Sequence, residues 1–196
     1  MMAEAPKPRR RKPRPRKSRP RLPGDPSLDE LLARIIRVDH AGEYGAVRIY
    51  AGQLRVLGET DSAPPIREMA EAEARHLETF ERLMVERRVR PTALMPLWTV
   101  AGFALGAATA ALGPRAAMAC TVAVEEVIDG HYTRQIECLG DDDPALARTL
   151  RKFRADEHEH RDAGLAHGAA EAPGYLPLTG AIKAASRLAI WLSERI

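Results

Sequence analysis

The feature that most restricts the fold of this 196-residue chain is a Glu-x-x-His motif that occurs twice, each time after a lone glutamate. The lone glutamate precedes the first motif by 30 residues and the second by 32 residues. Residues three apart on an α-helix lie on nearly the same face, so each motif directs a carboxylate and an imidazole to one point. This doubled inventory is typical of dinuclear metal sites in four-helix bundles. The six candidate metal ligands are Glu43, Glu73, His76, Glu125, Glu157 and His160.

Helical periodicity extends over residues 27–196, and no sustained alternation of polar and apolar residues indicates a strand. Ser27 and Glu30 form a capping box in front of the first helical pattern. Asp143 and Pro144 supply an N-cap and a first-turn proline for a later helix. The sequence predicts helices at about 28–57, 65–89, 115–139, 144–168 and 178–195. We therefore expect an all-α catalytic domain over residues 27–196, built on a four-helix bundle.

The charges and surroundings of the candidate ligands fit a pair of metal ions. Four carboxylates would neutralise two divalent ions. Glu125 follows the apolar run 116–124, and a buried carboxylate is costly without a partner. Gly42 and Gly45 flank Glu43, which suggests close packing there. Mixed carboxylate and imidazole ligation suits iron or manganese, whereas zinc would fit the ligands without supplying redox chemistry.

Residues near these ligands are candidates for supporting roles. His131 and Tyr132 lie about two turns after Glu125, so they could line the same cavity and act in a relay. Asp39 and His40 stand in the first predicted helix. Both could hydrogen-bond to a metal ligand and orient it. The alternative for His40 is that it faces solvent.

Residues 91–114 are uncharged, a stretch long enough for a membrane span but interrupted by proline and glycine. A single span would place the two halves of the metal site on opposite faces of a membrane, so a shared site argues against it. A helix packed across the bundle is one alternative. We favour a hydrophobic helix-loop that lies in the membrane interface and admits a lipid-like substrate, with the last helix adding to this surface. The candidate substrate and membrane contacts are Leu94, Met95, Leu97, Trp98, Phe103 and Leu105.

The basic charge of the chain is concentrated at its N-terminus. Residues 1–24 carry ten basic side chains and one acidic one, while the rest carries 20 basic and 26 acidic. We predict that residues 1–26, which are rich in proline, form a disordered tail. The tail is either a solubilising extension or an electrostatic anchor on anionic lipid. Its lack of aromatic residues argues against a nucleic-acid partner, and its prolines make it a poor mitochondrial presequence.

Four segments resemble the signature of the demethoxyubiquinone hydroxylase family, and the resemblance covers roughly residues 28–196. The longest segment runs from Arg37 to Gln53 and reads RVDHAGEYGAVRIYAGQ. The others are LMPLW at 94–98, ACTVAVEE at 119–126 and LSERI at 192–196. The basic tail lies outside the resemblance.

The resemblance implies a ferritin-like four-helix bundle with two additional hydrophobic, membrane-associated helices. It implies a di-iron monooxygenase that hydroxylates the ring of demethoxyubiquinone or demethoxyubiquinol with O2 in ubiquinone biosynthesis. The six candidate ligands would hold the two irons, and Glu43 and Glu125 are the carboxylates that we expect to bridge or shift. Members of the family take electrons from NADH, with a relay suggested near His131 and Tyr132. This chain has no dinucleotide fingerprint of its own.

The resemblance also implies a location and partners. The protein would be peripheral, on the cytoplasmic face of a bacterial inner membrane or the matrix face of a mitochondrial one. Its partners would be a prenylated quinone, the membrane surface and a lipid-binding accessory protein, and a homo-oligomer stays open. Two other functions stay open on the residues alone. One is a ferritin-type iron oxidase or store, and the other is a metal-free adaptor that binds prenyl lipids and tolerates Glu125→Gln.

Overall fold

Six α-helices and one 3-10 helix make up the regular structure of residues 22–196, the part of the chain that the computed structural model describes. No strand occurs in this part, so the predicted all-helical class is confirmed for it. The predicted disorder of residues 1–26 falls almost entirely outside the described residues. The helices are α1 Leu28–Leu57, α2 Ala63–Arg87, α3 Met95–Ala111, α4 Pro114–Leu139, α5 Pro144–Ala166 and α6 Tyr175–Ser193, with the 3-10 helix at Ala169–Glu171.

Local capping explains where the bundle helices begin. The Ser27 hydroxyl accepts the Glu30 amide at 3.2 Å, and the Glu30 carboxylate accepts the Ser27 amide at 2.8 Å. This confirms the predicted capping box. The Asp143 carboxylate accepts two first-turn amides of α5, at 3.0 and 3.2 Å. Helix α2 begins two residues earlier than predicted, because Pro64 and Pro65 fit into its first turn, where the N–H groups that they lack have no partner within the helix.

The four helices that carry the candidate ligands are α1, α2, α4 and α5, and apolar side chains pack between them in two layers. One layer contains Ile36, Phe80, Leu139, Leu150 and Phe153. The other contains Tyr50, Ile66, Met69, Met118 and Val122. Along each ligand helix, the candidate ligands lie between the residues of one layer and those of the other. The fold therefore encloses a polar layer between two apolar ones.

Helix α3 packs directly on α1 through glycines, outside the four ligand helices. A Cβ atom at Gly106 would overlap the carbonyl oxygen of Ile49, and one at Gly52 would overlap that of Phe103. The two backbones therefore touch, and only glycine leaves room for such an approach. The uncharged stretch 91–114, predicted as a hydrophobic helix-loop, is a short loop followed by a 17-residue helix that packs against α1. Of the helices in the described part, none has both the length and the apolarity needed to cross a membrane.

Helix α6 packs on α4 and is also linked to α3. The indole N–H of Trp98 donates to the Ser193 hydroxyl at 3.0 Å, which joins the start of α3 to the end of α6. Lys183 of α6 forms an ion pair with Glu126 of α4. Both outer helices expose large apolar side chains, namely Leu97, Val100 and Leu112 from the α3 segment and Leu176, Leu188 and Trp191 from α6.

Candidate metal centre

The six side chains predicted as metal ligands meet in the polar layer, and all six are buried. They form two overlapping groups in which the ligand atoms lie within 4.8 Å of one another. The first group is Glu43, Glu73, His76 and Glu157. The second group is Glu73, Glu125, Glu157 and His160. The spacing of the sequence therefore predicts a set of residues that the fold does bring together.

Glu73 and Glu157 belong to both groups, whereas Glu43 and Glu125 each belong to one. The expectation that Glu43 and Glu125 bridge or shift stays a prediction, while the two groups themselves share Glu73 and Glu157. The reason is that the two Glu-x-x-His motifs face one another from α2 and α5, so that their glutamates stand in the middle of the cluster. The lone glutamates approach from α1 and α4 at its two ends.

Both ligand histidines direct Nδ1 into the cluster. His160 Nδ1 lies 3.0 Å from Glu157 Oε2 and 2.9 Å from Glu73 Oε1. His76 Nδ1 lies 3.3 Å from Glu157 Oε1, 3.5 Å from Glu43 Oε2 and 3.7 Å from Glu73 Oε2. The His76 ring also stacks on Phe153, with ring centroids 3.8 Å apart, which fixes its orientation. Each imidazole is thus aimed at the carboxylates with which it would share a metal ion.

The cluster concentrates negative charge in a buried space. Burial raises the pKa of both Glu43 and Glu125 well above the ordinary value, and neighbouring carboxylates raise it further. Burial also opposes ionisation of Glu73, but the imidazoles beside it outweigh burial and lower its pKa. Burial opposes a charge on His160, but Glu157 and Glu73 raise the pKa of this imidazole to about 10. The carboxylates therefore stabilise a proton on the histidine, and a metal ion that binds there would have to release it.

Two buried atoms in the cluster test whether metal ions fit. Glu73 Oε1 and His76 Nδ1 have no hydrogen-bond partner of suitable geometry among the described residues. A buried polar atom without a partner is costly and rare. Both atoms face the other ligands, where a metal ion would satisfy them. Carboxylate oxygens and imidazole nitrogens are ligands that suit iron, so the residues present fit a di-iron centre.

Tyr132 and His131 both border the cluster, as their spacing from Glu125 predicts. The Tyr132 hydroxyl donates to Glu43 Oε1. His131 Nε2 lies 3.3 Å from Asp39 Oδ1, and Gln135 Nε2 donates to the same oxygen at 2.7 Å. Tyr132, His131 and Asp39 also line a small cavity beside the ligands. Their role in a relay stays a prediction.

Asp39 and His40, which the sequence pairs, lie in different surroundings. Asp39 is buried, and burial raises its pKa although His131 beside it acts in the opposite direction. His40 is buried too, and burial lowers its pKa. Its Nδ1 has no hydrogen-bond partner within the described part, and its ring joins neither ligand group. Asp39 is therefore the member of this pair that reaches the region of the cluster.

An apolar cavity of about 170 Å³ lies between α1, α3, α4 and α6. Gly42 and Gly45 line it, yet α3 also approaches closely there, because a Cβ at Gly102 would lie 2.9 Å from the Gly45 carbonyl oxygen, as the small residues beside Glu43 led us to expect. None of the lining residues is charged. Val38, Gly42, Val124 and Ile128 line both this cavity and the small one beside the ligands. The apolar cavity therefore adjoins the candidate metal centre.

The six residues predicted to contact substrate or membrane divide into two groups. Trp98 and Leu105 line the apolar cavity. The other four lie elsewhere on α3 or at its start: Leu94, Met95, Leu97 and Phe103. Of these, Leu97 is half exposed, and Phe103 packs beneath the Arg48 guanidinium at 5.6 Å from the ring centroid.

Two further residues place a polar atom against a candidate ligand, and neither is predicted from the sequence. Asp156 Oδ2 lies 3.0 Å from His76 Nε2, the ring nitrogen that faces away from the cluster. No pattern in the sequence could find this contact, because it depends on how α2 and α5 pack. The Tyr50 hydroxyl donates to Glu125 Oε1 at 3.2 Å. Here a signal did exist, since Tyr50 follows a lone glutamate by seven residues, as Tyr132 does.

Comparisons with known proteins identify relatives of this chain. A family model described as ubiquinone biosynthesis protein COQ7 matches residues 30–193. The 3-demethoxyubiquinol 3-hydroxylase of Rhodospirillum rubrum is 58% identical over 177 residues, which is 90% of this chain and 84% of that protein. The NADPH-dependent 3-demethoxyubiquinone 3-hydroxylase, mitochondrial, of Homo sapiens is 58% identical over 167 residues, covering 83% and 77%. The 5-demethoxyubiquinone hydroxylase, mitochondrial, of Saccharomyces cerevisiae is 43% identical over 182 residues, covering 84% and 78%.

Proposed function

Since the chain belongs to the family of ubiquinone biosynthesis protein COQ7, we propose that it hydroxylates the ring of a demethoxyubiquinol with O2 at a di-iron centre. The observation that carries this proposal is the apolar cavity that adjoins six buried ligands. The cluster supplies a place for two redox-active metal ions, and the cavity supplies a place for an apolar ring. A ferritin-type store would have no use for such a cavity.

The ligand residues would hold the two irons in the two overlapping groups. Glu43 and His76 would serve one iron, Glu125 and His160 the other, and Glu73 and Glu157 would lie between them. When bound, two irons supply the reduction of O2, with one oxygen atom entering the ring and the other leaving as water. Two divalent ions would balance the four carboxylates, so the reduced centre would carry no net charge within the apolar layers.

The lining of the cavity would position the substrate. Small residues such as Gly42, Gly45 and Ala46 leave room for a flat ring against α1. The uncharged walls favour an apolar ring and the first part of a prenyl tail over a charged metabolite. Entry between α3 and α6, which both line the cavity, would place the quinone ring near Glu43 and leave its tail outside the bundle.

Tyr132, His131 and Asp39 would handle protons beside the centre. Burial, together with the charge of Glu43, raises the pKa of Tyr132 well above its ordinary value, so its hydroxyl keeps the proton that it donates to Glu43. Asp39 faces the His131 imidazole and could fix its tautomer. Electrons would come from a reduced nicotinamide nucleotide. The family resemblance implies NADH, whereas the human relative is named as NADPH-dependent.

The same fold suggests how the protein meets its lipid substrate. α3 carries no charged residue, and α3 and α6 expose apolar side chains on the outside of the bundle. We propose that this face rests in the interface of a membrane and makes the protein peripheral. A lipid-binding accessory protein or a second copy of this chain would then have to leave the proposed entry between α3 and α6 accessible.

The test combines metal analysis with quinone product analysis. The wild-type protein should contain two irons per chain and form the hydroxylated quinol. Glu157→Ala should lose iron and hydroxylation, since Glu157 belongs to both ligand groups. Glu159→Ala is the matched control, because Glu159 lies on the same helix but is exposed. If Glu157→Ala retained two irons and full activity, the proposed site would be refuted.

A further inference from the structure

The two halves of the bundle share a pattern longer than the ligand repeat. Each lone glutamate is followed after seven residues by a tyrosine and after ten by a glutamine, so that Glu43, Tyr50 and Gln53 on α1 match Glu125, Tyr132 and Gln135 on α4. Seven residues are close to two helical turns, so each tyrosine lies on nearly the same face as its glutamate. The same helix face therefore occurs in α1 and in α4, with a glutamate, a tyrosine and a glutamine at matching positions.

The hydrogen bonds of this pattern cross between the halves. Tyr132 of α4 donates to Glu43 of α1, and Tyr50 of α1 donates to Glu125 of α4 at 3.2 Å. The glutamines cross in the same way, and Gln53 Nε2 donates to the carbonyl oxygen of Ala117 at 3.0 Å. The outer carboxylate at each end of the cluster is thus held by a tyrosine from the opposite half.

The surroundings of the two tyrosines differ. Tyr132 lines the cavity beside the ligands, whereas Tyr50 does not and packs in the apolar layer with Met69 and Ala117. Burial, and then the charge of Glu125, raises the pKa of Tyr50 well above its ordinary value, so its hydroxyl remains a donor. The Met69 thioether, 3.7 Å from that hydroxyl, is a weak acceptor beside the carboxylate.

We infer that Tyr50 is a positioning residue that holds Glu125 in place for the metal ion of the second group, as Tyr132 holds Glu43 for the first. This inference rests on the proposed metal site. Ligating carboxylates need hydrogen bonds of their own, and losing such a partner typically weakens metal affinity by about 10- to 100-fold. Each tyrosine should therefore affect only the metal position served by the other half's lone glutamate.

The first experiment titrates metal-free protein with Co²⁺ and follows the visible absorption of the bound ion. Wild-type protein should bind two equivalents. Tyr50→Phe, which removes only the hydroxyl, should weaken one of them by about tenfold. Tyr44→Phe is the matched control, because the Tyr44 hydroxyl bonds Thr99 at 2.9 Å, outside the cluster. Wild-type affinity for both ions in Tyr50→Phe would overturn the inference, whereas a wild-type protein that binds no metal would refute the proposed function itself.

A crossed pair of variants assigns the effect to a position. His76→Ala leaves the group that contains His160 complete, and in that background Tyr50→Phe should weaken Co²⁺ binding about tenfold. His160→Ala leaves the group that contains His76, and there Tyr50→Phe should change nothing. Equal weakening in both backgrounds would indicate a general loss of packing and contradict a positioning role.

Circular dichroism of the metal-free variant shows whether Tyr50→Phe folds. If it does not, 3-fluorotyrosine at position 50 keeps both the ring and the hydroxyl but changes the strength of the hydrogen bond. The Co²⁺ absorption of protein with 3-fluorotyrosine at position 50 should be shifted relative to that of the unmodified protein. The same analogue at position 44 should cause no shift. An unshifted spectrum would contradict the inference.

Discussion

His76 and His160 differ in what their outer ring nitrogens contact. His76 Nε2 lies 3.0 Å from Asp156 Oδ2, so a carboxylate supports this imidazole from behind. Within the described residues, none hydrogen-bonds to Nε2 of His160. A carboxylate partner orients a ligating imidazole and makes it a stronger donor. The metal ion next to His76 should therefore be the more tightly held of the two.

Asp156→Asn should lower the affinity for the more tightly bound metal ion by about tenfold or more, because the amide removes the negative charge behind His76. The measurement is competition between the protein and a chelator of known affinity for Co²⁺. Glu159→Gln on the exposed face of α5 provides the control. Unchanged retention of both ions in Asp156→Asn would show that the contact does not tune the site.

The spacing of the sequence predicts all six candidate ligands because three-residue and thirty-residue separations on helices leave few ways to arrange them. It does not predict which carboxylates are shared. That depends on α2 facing α5 across the bundle, and the same arrangement determines the contact of Asp156 with His76. Tyr50 belongs to a repeat that is visible in the sequence, but only the fold shows that its bond crosses to the other half.

At the scale of the helix, α5 depends on a charged cap. Asp143 accepts two amides at the start of α5 and pairs with Arg87 of α2 at 2.8 Å. Burial alone would raise the pKa of Asp143, but the Leu146 amide and Arg87 outweigh it and hold this pKa below the ordinary value. The cap therefore joins two ligand helices and requires an ionised carboxylate.

Asp143→Ala should lower the free energy of unfolding by about 1 kcal/mol at neutral pH, as for other lost N-caps. Because the folded-state pKa is depressed, this stabilisation is fully present above the ordinary pKa of aspartate, about 3.9, and is lost as the pH falls through the folded value. Urea unfolding of both proteins at pH 7 and below pH 4 measures the difference. A destabilisation that stayed constant over this range would contradict the role of the charge.

The contact between α1 and α3 depends on glycine. Gly106→Ala should force the helices apart, because the new Cβ would overlap backbone of α1, and overpacking of this kind costs about 1–3 kcal/mol. Thermal unfolding should move to lower temperature, and the shape of the apolar cavity should change. Gly180→Ala in α6 is the control, since nothing lies within 4 Å of a Cβ there. Gly180→Ala should instead raise the free energy of unfolding by about 0.5–1 kcal/mol.

The sequence predicts the ligand helices well because capping and periodicity are local signals. The α3 segment was harder, because an uncharged stretch with glycines fits both an interfacial helix-loop and a helix packed on the bundle. The glycines at 102 and 106 account for the packing, since their missing side chains let one face of α3 lie on α1, while its opposite face stays available for the proposed membrane interface. Such a contact between distant segments is not visible from hydrophobicity alone.

At the scale of the molecule, the apolar faces of α3 and α6 make one side different from the rest. Val100 on α3 is 68% exposed, and Val85 on α2 is 80% exposed. Val100→Asp should reduce binding to phospholipid vesicles severalfold, because it places a charge in the face proposed to enter the interface. Val85→Asp, a similar change elsewhere, should leave binding unchanged. Co-sedimentation with vesicles measures both, and equal loss in the two variants would argue against a defined docking face.

The sharing of Glu73 and Glu157 between the two ligand groups has a consequence for the life of the newly made chain. Each group takes three ligands from one half of the sequence and one from the other half. That single ligand lies more than 30 residues along the chain from the other three. A growing polypeptide therefore cannot complete either group until α5 has been synthesised and has docked. Loading of the proposed irons should be a late event of biogenesis, because the two apolar layers would bring the halves together before a metal ion could cross-link them.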